Sequence, residues 1–296
     1  MSSFLKFMTG QKGRMTCVVL ICILFFPVDY LAQTQTSSTA RENVADNEYQ
    51  TGSILWTQSS AEYRALAYQS FSLARLRLDQ ILQSQKRART DRRVAKPLAL
   101  VVDVDETVLD NSRYQAELVL RGVAYSTETW QAWCDRAEAG AVPGAVDFLN
   151  YAAHRGVRVF YITNRREPER AGTISNLSKL GFPGVNEETV MIRAQGATAS
   201  KESRREQVRS RYQIALLVGD NLNDFNDDFA GKSIANRNAE VDRQRSEFGP
   251  RFIVVPNPMY GDWESAVYDN KPNLSDAEKR ALRRNALRGI SVHSGP

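Results

Sequence analysis

Cysteine is scarce: the 296 residues hold three, Cys17 and Cys22 near the start and Cys134 alone thereafter. If the early segment is removed, no intrachain disulfide can form. Neither early cysteine follows the small residue that a lipoprotein cleavage site requires, because Thr16 precedes Cys17 and Ile21 precedes Cys22. A lipid anchor is therefore disfavoured. Histidine is scarcer still, with only His154 and His293. Long apolar runs are also missing. The one from Cys17 to Val28 stops at Asp29 and falls short of the ~20 residues a membrane-spanning helix needs. With Lys6, Lys12 and Arg14 ahead of it, this run has the shape of a secretory signal over residues 1–32. A retained anchor is the alternative. Cleavage after Ala32 is expected, although Tyr30 is bulky for its place. The net charge of +5 becomes only mildly basic without that segment, which gives no sign of a nucleic-acid polymer as partner.

The chain is long enough, and at 42% hydrophobic apolar enough, for one large domain or a domain with a subdomain. Residues 33–47 are polar and aperiodic and read as a flexible leader. A helical segment over 48–95 follows. Its helix is expected to start at Ser59, with Glu62 at capping-box spacing, and Tyr63, Leu66, Phe71, Ala74, Leu78 and Ile81 recur at helical intervals. Gln85 to Arg93 is basic and reads as a solvated linker, with a nucleic-acid or membrane patch as the competing reading. From Pro97 the pattern changes to short apolar runs between helix-like stretches: Leu98 to Val102, Arg158 to Thr163, Val190 to Ile192, Ile214 to Val218 and Phe252 to Val255. Uninterrupted apolar strands alternating with helices predict an α/β fold whose parallel sheet is covered on both faces. Function in such a sheet lies beyond the carboxyl ends of its strands.

Three of these runs end in polar residues. The first ends in Asp103 and Asp105, the second in Thr163-Asn164-Arg165, and the fourth in a Gly-Asp turn carrying Asp220 and Asp224. Each fragment alone has an ordinary explanation as a turn or helix cap. Together, in this order and each after a strand, they indicate one site. Four converging carboxylates repel one another unless a cation lies among them. Oxygen ligands without histidine favour Mg²⁺ over Zn²⁺. A calcium loop fails on spacing: the sixth residue from Asp103 is Val108 and the twelfth is Tyr114, and the third residue from Asp220 is Leu222.

The strings DVDETVLDN, VPGAVDFLNY, YITNRRE, LVGDNLNDF and PNPMYGDWE resemble the class C acid phosphatases, the lipoprotein acid phosphatase and 5′-nucleotidase group of the haloacid dehalogenase-like superfamily. The likeness runs from about Trp56 to Trp263. It implies a three-layer α/β fold with a central parallel sheet. The phosphatase core would cover residues 96–272, a smaller, mainly helical cap would be inserted at about 111–142, and a basic helix and tail would follow over 273–296. Ser275 and Glu278 mark the start of that helix, expected to be solvated.

The resemblance also implies an exported, Mg²⁺-dependent phosphomonoesterase, periplasmic or secreted, without a stable membrane anchor. Its substrates would be nucleoside monophosphates and other small phosphomonoesters, and a homodimer is one permitted assembly. Asp103 would be the nucleophile that forms an aspartyl-phosphate, and Asp105 the acid and base. The metal would be held by Asp103, the backbone carbonyl of Asp105 and Asp220, supported by Asp224. Thr163 and the amide of Asn164 would bind phosphate oxygens at a helix start. Lys201 would add a positive charge, a choice that spacing alone does not make over Arg193 or Arg204. Trp130 and Tyr260 would sandwich a nucleobase, whereas core packing is the competing role for Trp130, Trp133 and Trp263. A non-catalytic nucleotide-binding or storage protein and a phosphotransferase are the competing functions.

Overall fold

The computed structural model describes residues 45–88 and 96–289. The signal segment, most of the leader, part of the basic stretch and the last residues with His293 lie outside them. In chain order the elements are α1 (Thr51–Ser59), α2 (Ala61–Ala88), β1 (Leu98–Val102), β2 (Leu109–Asp110), α3 (Ser112–Arg121), α4 (Thr127–Arg136), β3 (Gly140–Ala141), α5 (Ala145–His154) and β4 (Arg158–Ile162). They continue with α6 (Arg170–Lys179), β5 (Val190–Met191), α7 (Glu202–Arg211), β6 (Gln213–Gly219), α8 (Ile234–Arg243), β7 (Phe252–Val254), α9 (Asp262–Val267) and α10 (Asp276–Ala286). Among the described residues no helix is long and apolar enough to cross a membrane.

Five strands form one parallel sheet in the order β5-β4-β1-β6-β7. Period-two alternation explains why each run had to be apolar throughout. Leu98, Leu100 and Val102 join the larger core with α2 and α5, while Ala99 and Val101 face the other way, onto Val208, Phe225 and Phe252. Helix α2 buries Ala67, Phe71, Ala74 and Leu78 against the sheet beside Phe148 and Leu149 of α5. Its helical stripe thus finds the partner surface it requires.

The strand order has one functional consequence. Strand β1 is central, with β4 and β6 on either side, so the residues after these three strands emerge at one edge, side by side. Between β2 and β3, which pair as a small antiparallel ribbon, the chain makes the two helices α3 and α4. Tyr114 packs edge-on to Trp130, with ring centroids 5.1 Å apart, and lies stacked near Trp133. Gly172 of α6 has no room for a side chain, because a Cβ there would overlap the Cys134 carbonyl oxygen of α4. That close approach fixes the helical insertion against the core.

Some local expectations are corrected. The cap of α2 is Ser60, whose Oγ accepts from the Tyr63 amide at 3.0 Å. Ser59 is already the last residue of α1, because the backbone becomes extended only at Ser60. The end of the leader is fixed rather than loose: the Asn47 side chain donates to the Val123 carbonyl at 3.0 Å, and the Asp46 carboxylate pairs with Arg280 and Arg283. Helix α10 starts at the Ser275–Glu278 capping box and buries none of its residues, and those ion pairs tie it to Asp46.

Leu78 is fully buried between α2 and the sheet. Leu78→Ala is expected to cost about 2–5 kcal/mol of unfolding free energy, read from the urea midpoint. A loss under about 0.5 kcal/mol, the range of surface changes, would contradict the packing of α2.

Candidate active site

The loop after β1 is wound tightly enough to aim several side chains at one point. The amides of Val108 and Leu109 both donate to the Val104 carbonyl, at 3.0 and 2.8 Å. Glu106 adopts a left-handed conformation with φ of 59°, a costly state for a non-glycine residue that the surrounding bonds must hold. Asp103 and Asp105 leave this loop toward a cavity of about 490 Å³, which also reaches Lys201, Asp220, Asp224 and Asp105's neighbour in space, Arg165.

Asp103, Asp220 and Asp224 bring carboxylate oxygens within 4.8 Å of one another. The Lys201 ammonium donates to Asp103 and to Asp224 Oδ1 at 2.6 Å. Thr107 donates to Asp220 Oδ1 at 3.0 Å, and Asn257 donates to Asp220 Oδ2 at 2.8 Å. Asp224 folds back onto its own turn, accepting the Asn221 amide at 3.0 Å. Gly219 permits this fold, since a Cβ there would overlap the Asp224 side chain.

Electrostatics follow from burial. Desolvation, and then the neighbouring Asp224, push the Asp220 carboxyl up to about 7, against the bonds from Asn257 and Thr107. Burial likewise raises Asp103, and Lys201 only partly opposes this. For Lys201 itself burial favours the neutral form, but Asp103 and Asp224 outweigh that and hold it charged. Three clustered carboxylates with one ammonium leave a deficit of positive charge in a dry site. A divalent cation would fill it, and the oxygen donors fit a hard ion.

Asp105 lies apart from that cluster. Arg165 pairs with it at 2.7 Å, and Asn111 donates to it at 2.9 Å. Thr163 is fully buried and donates to Asp105 Oδ2 at 3.3 Å. Asn164 reaches the cavity while its side chain donates to the Ala199 carbonyl at 2.9 Å. No helix starts directly after Thr163 as expected: a 3₁₀ turn at Glu167–Glu169 containing Pro168 delays α6 to Arg170. The Tyr260 hydroxyl donates to buried Glu106, and Trp130 and Tyr260 both line the cavity. Trp133 is a core residue whose Nε1 donates to Asn111 Oδ1 at 2.8 Å, whereas Trp263 is 44% exposed and not packed inside. Lys201, rather than Arg193 or Arg204, reaches the acidic cluster; Arg204 instead donates to the Thr163 carbonyl. Glu106, Asn111, Asn257 and the role of Arg165 escaped sequence reasoning, though the first two lie inside the DVDETVLDN string.

A model of the HAD superfamily subfamily IIIB acid phosphatases matches residues 30–263. The chain belongs to this acid phosphatase family. Among solved structures it is similar to the class C acid phosphatase from Bacillus anthracis, at 40% identity and a TM-score of 0.75, covering 82% of this chain and 98% of that one. The same relative with tungstate bound gives a TM-score of 0.76 at 40% identity. Acid phosphatase 1 of Solanum lycopersicum is 25% identical over 166 residues, 54% of this chain and 57% of that protein; this chain thus spans under two thirds of that relative's length. An acid phosphatase is a phosphomonoesterase, so the substrate class is a small phosphate monoester.

The charge deficit gives this phosphatase a testable property. A divalent cation titrated into chelator-treated protein should raise its melting temperature, with about 2.7 kcal/mol of stabilisation at a hundredfold excess over Kd. Asp220→Ala should weaken that response more than Asp224→Ala, because Lys201 and the Asn221 amide already occupy Asp224. An unchanged melting temperature would contradict a cation site here.

Proposed function

We propose that this acid phosphatase is an exported, Mg²⁺-dependent enzyme that hydrolyses nucleoside monophosphates and other small phosphomonoesters through an aspartyl-phosphate on Asp103. The observation that carries this reading is that Asp103 lines the cavity together with Asp105 and pairs with Lys201. A relative solved with tungstate bound, an oxyanion resembling phosphate, supports the reading of an oxyanion-binding protein. Asp103, the Asp105 carbonyl, Asp220 and Asp224 would hold Mg²⁺, which when bound neutralises phosphate charge. Export rests on residues 1–32.

In the first step a carboxylate oxygen of Asp103 bonds to phosphorus while the ester P–O bond breaks. The leaving oxygen takes the electron pair and a proton from Asp105. Asp105, now ionised, removes a proton from water, which attacks the same phosphorus. The P–O bond to Asp103 breaks, inorganic phosphate departs and both carboxyl groups return to their starting forms. Lys201 balances the negative charge near Asp103 throughout. Thr163 donates to Asp105 Oδ2 at 3.3 Å, and the Asn164 amide would donate to a phosphate oxygen.

Trp130 and Tyr260 supply the aromatic wall for a nucleobase, and stacking of that kind is tolerant of base identity. Replacing either with Ala should lower kcat/KM for nucleoside monophosphates roughly 5- to 150-fold, corresponding to ~1–3 kcal/mol of stacking. Glycerol phosphate, which has no ring, should be hydrolysed almost as before. Equal losses on both substrates would show that these aromatics serve the fold, and would withdraw the nucleotide preference.

Asp103→Asn keeps the shape and removes the nucleophile. Steady-state turnover should fall below about 1% of wild type, or about 3 kcal/mol of barrier, with the circular dichroism spectrum unchanged. Higher residual activity would rule out the covalent step at this residue and favour a binding role or a different chemistry.

A further inference from the structure

Asp105 is gripped on both oxygens. Its Oδ1 accepts from Arg165 Nε at 3.0 Å and Nη2 at 2.7 Å, and from Asn111 Nδ2 at 2.9 Å. Its Oδ2 accepts from Arg165 Nε at 3.2 Å and from Thr163 at 3.3 Å. The Arg165 side chain is 1% exposed and that of Asp105 20%, so the arginine approaches from the protein side and the carboxylate keeps one aspect toward the cavity.

Arg165 is itself anchored. Its Nη1 donates to Thr173 Oγ1 at 3.0 Å, and that hydroxyl donates to the Glu169 carbonyl at 2.7 Å. The guanidinium is therefore tied to the body of α6; its Nη2 also donates to Asn111 Oδ1 at 3.5 Å, and the Trp130 ring centroid lies 5.3 Å from the guanidinium carbon. Burial disfavours the charged form of Arg165, but Asp105 more than offsets this and holds it charged. A planar fork held by a helix fixes the plane of the carboxylate it pairs with, which a point-charge ammonium does not do.

We propose that Arg165 is a positioning residue that aims Asp105 at the leaving-group oxygen and braces Trp130 with the same plane. The proton donor, on the loop after β1, and the leaving-group wall, on α4, are then held together by one guanidinium anchored to α6. The inference rests on the reading of Asp105 as the acid. It differs from a purely structural ion pair in what it predicts for different leaving groups. A phosphate ester whose leaving group departs as a stable anion needs little help from an acid, whereas an alkoxide needs a well-placed proton. Misplacing such a donor by about 1 Å can cost about a hundredfold in rate.

The test is kcat/KM for p-nitrophenyl phosphate and for glycerol phosphate in wild type, Asp105→Asn, Arg165→Lys and Thr173→Val. Arg165→Lys keeps the charge and loses the fork. Thr173→Val keeps the side-chain shape and the Arg165–Asp105 pair while removing the hydroxyl that anchors Nη1, so it decides the question if the buried lysine prevents folding. Arg165→Lys should lose about 30-fold or more on the alkyl ester and under about 3-fold on the aryl ester. Thr173→Val should show the same skew at smaller size, and Asp105→Asn the same skew at larger size. Equal losses on both esters in the Arg165 and Thr173 variants, with the skew kept in Asp105→Asn, would overturn the positioning role and leave the acid in place. No skew in Asp105→Asn would overturn the acid assignment first, and the inference with it.

Discussion

Negative charge in a dry place governs this molecule. Asp103, Asp105, Asp220 and Asp224 converge at one sheet edge, with Glu106 buried behind them. Burying ionised carboxylates costs several kcal/mol each unless partners compensate. The fold supplies two cations, Lys201 to the cluster of three and Arg165 to Asp105. Neutral donors, Thr107 and Asn257, add hydrogen bonds but no charge. What remains uncompensated is the part of the site that would attract a divalent ion, and such an ion would make a phosphate dianion tolerable there.

Everything else positions those charges. A parallel sheet with β1 between β4 and β6 delivers the three loops that follow these strands to one edge. Small residues allow the loops to close up: Gly219 lets the Asp224 carboxylate fold onto its own turn, and Gly172 lets α6 approach α4. The helical insertion brings Trp130 over the cavity. Residues near both ends of the described chain add to the wall, because Asp46 and Arg283 both line it and pair with each other at 2.5 Å. The family match ends at residue 263, so α10 contributes to this cavity from beyond the matched region.

Much of this was legible in the residues. Buried parallel strands have to be apolar on both faces, which made all five visible as short runs, and polar residues directly after three of them, acidic after β1 and β6, located the site. The ribbon of β2 and β3 was not legible, since two residues per strand show no alternation. Helix α1 has no charged residues and no marked stripe, so its presence moved the expected cap of α2 by one residue. Pairings across the fold were out of reach for a physical reason. Lys201 lies 98 positions from Asp103 and Asn257 lies 37 from Asp220, and spacing carries no information at that range. The grip of Arg165 on Asp105, 60 positions apart, was hidden in the same way, although both residues stood in recognised strings.

The central claim is that this edge of charge exists to make one carboxylate, Asp103, a phosphorus nucleophile. Its most direct test is to quench the enzyme in acid during turnover, with Mg²⁺ and an aryl phosphate present, and to locate the phosphoryl group by peptide mass spectrometry. The group should be found on the peptide containing Asp103, and hydroxylamine, which cleaves acyl phosphates, should remove it. Continued turnover with no phosphoryl group on that peptide, or with the group on another residue, would contradict the account.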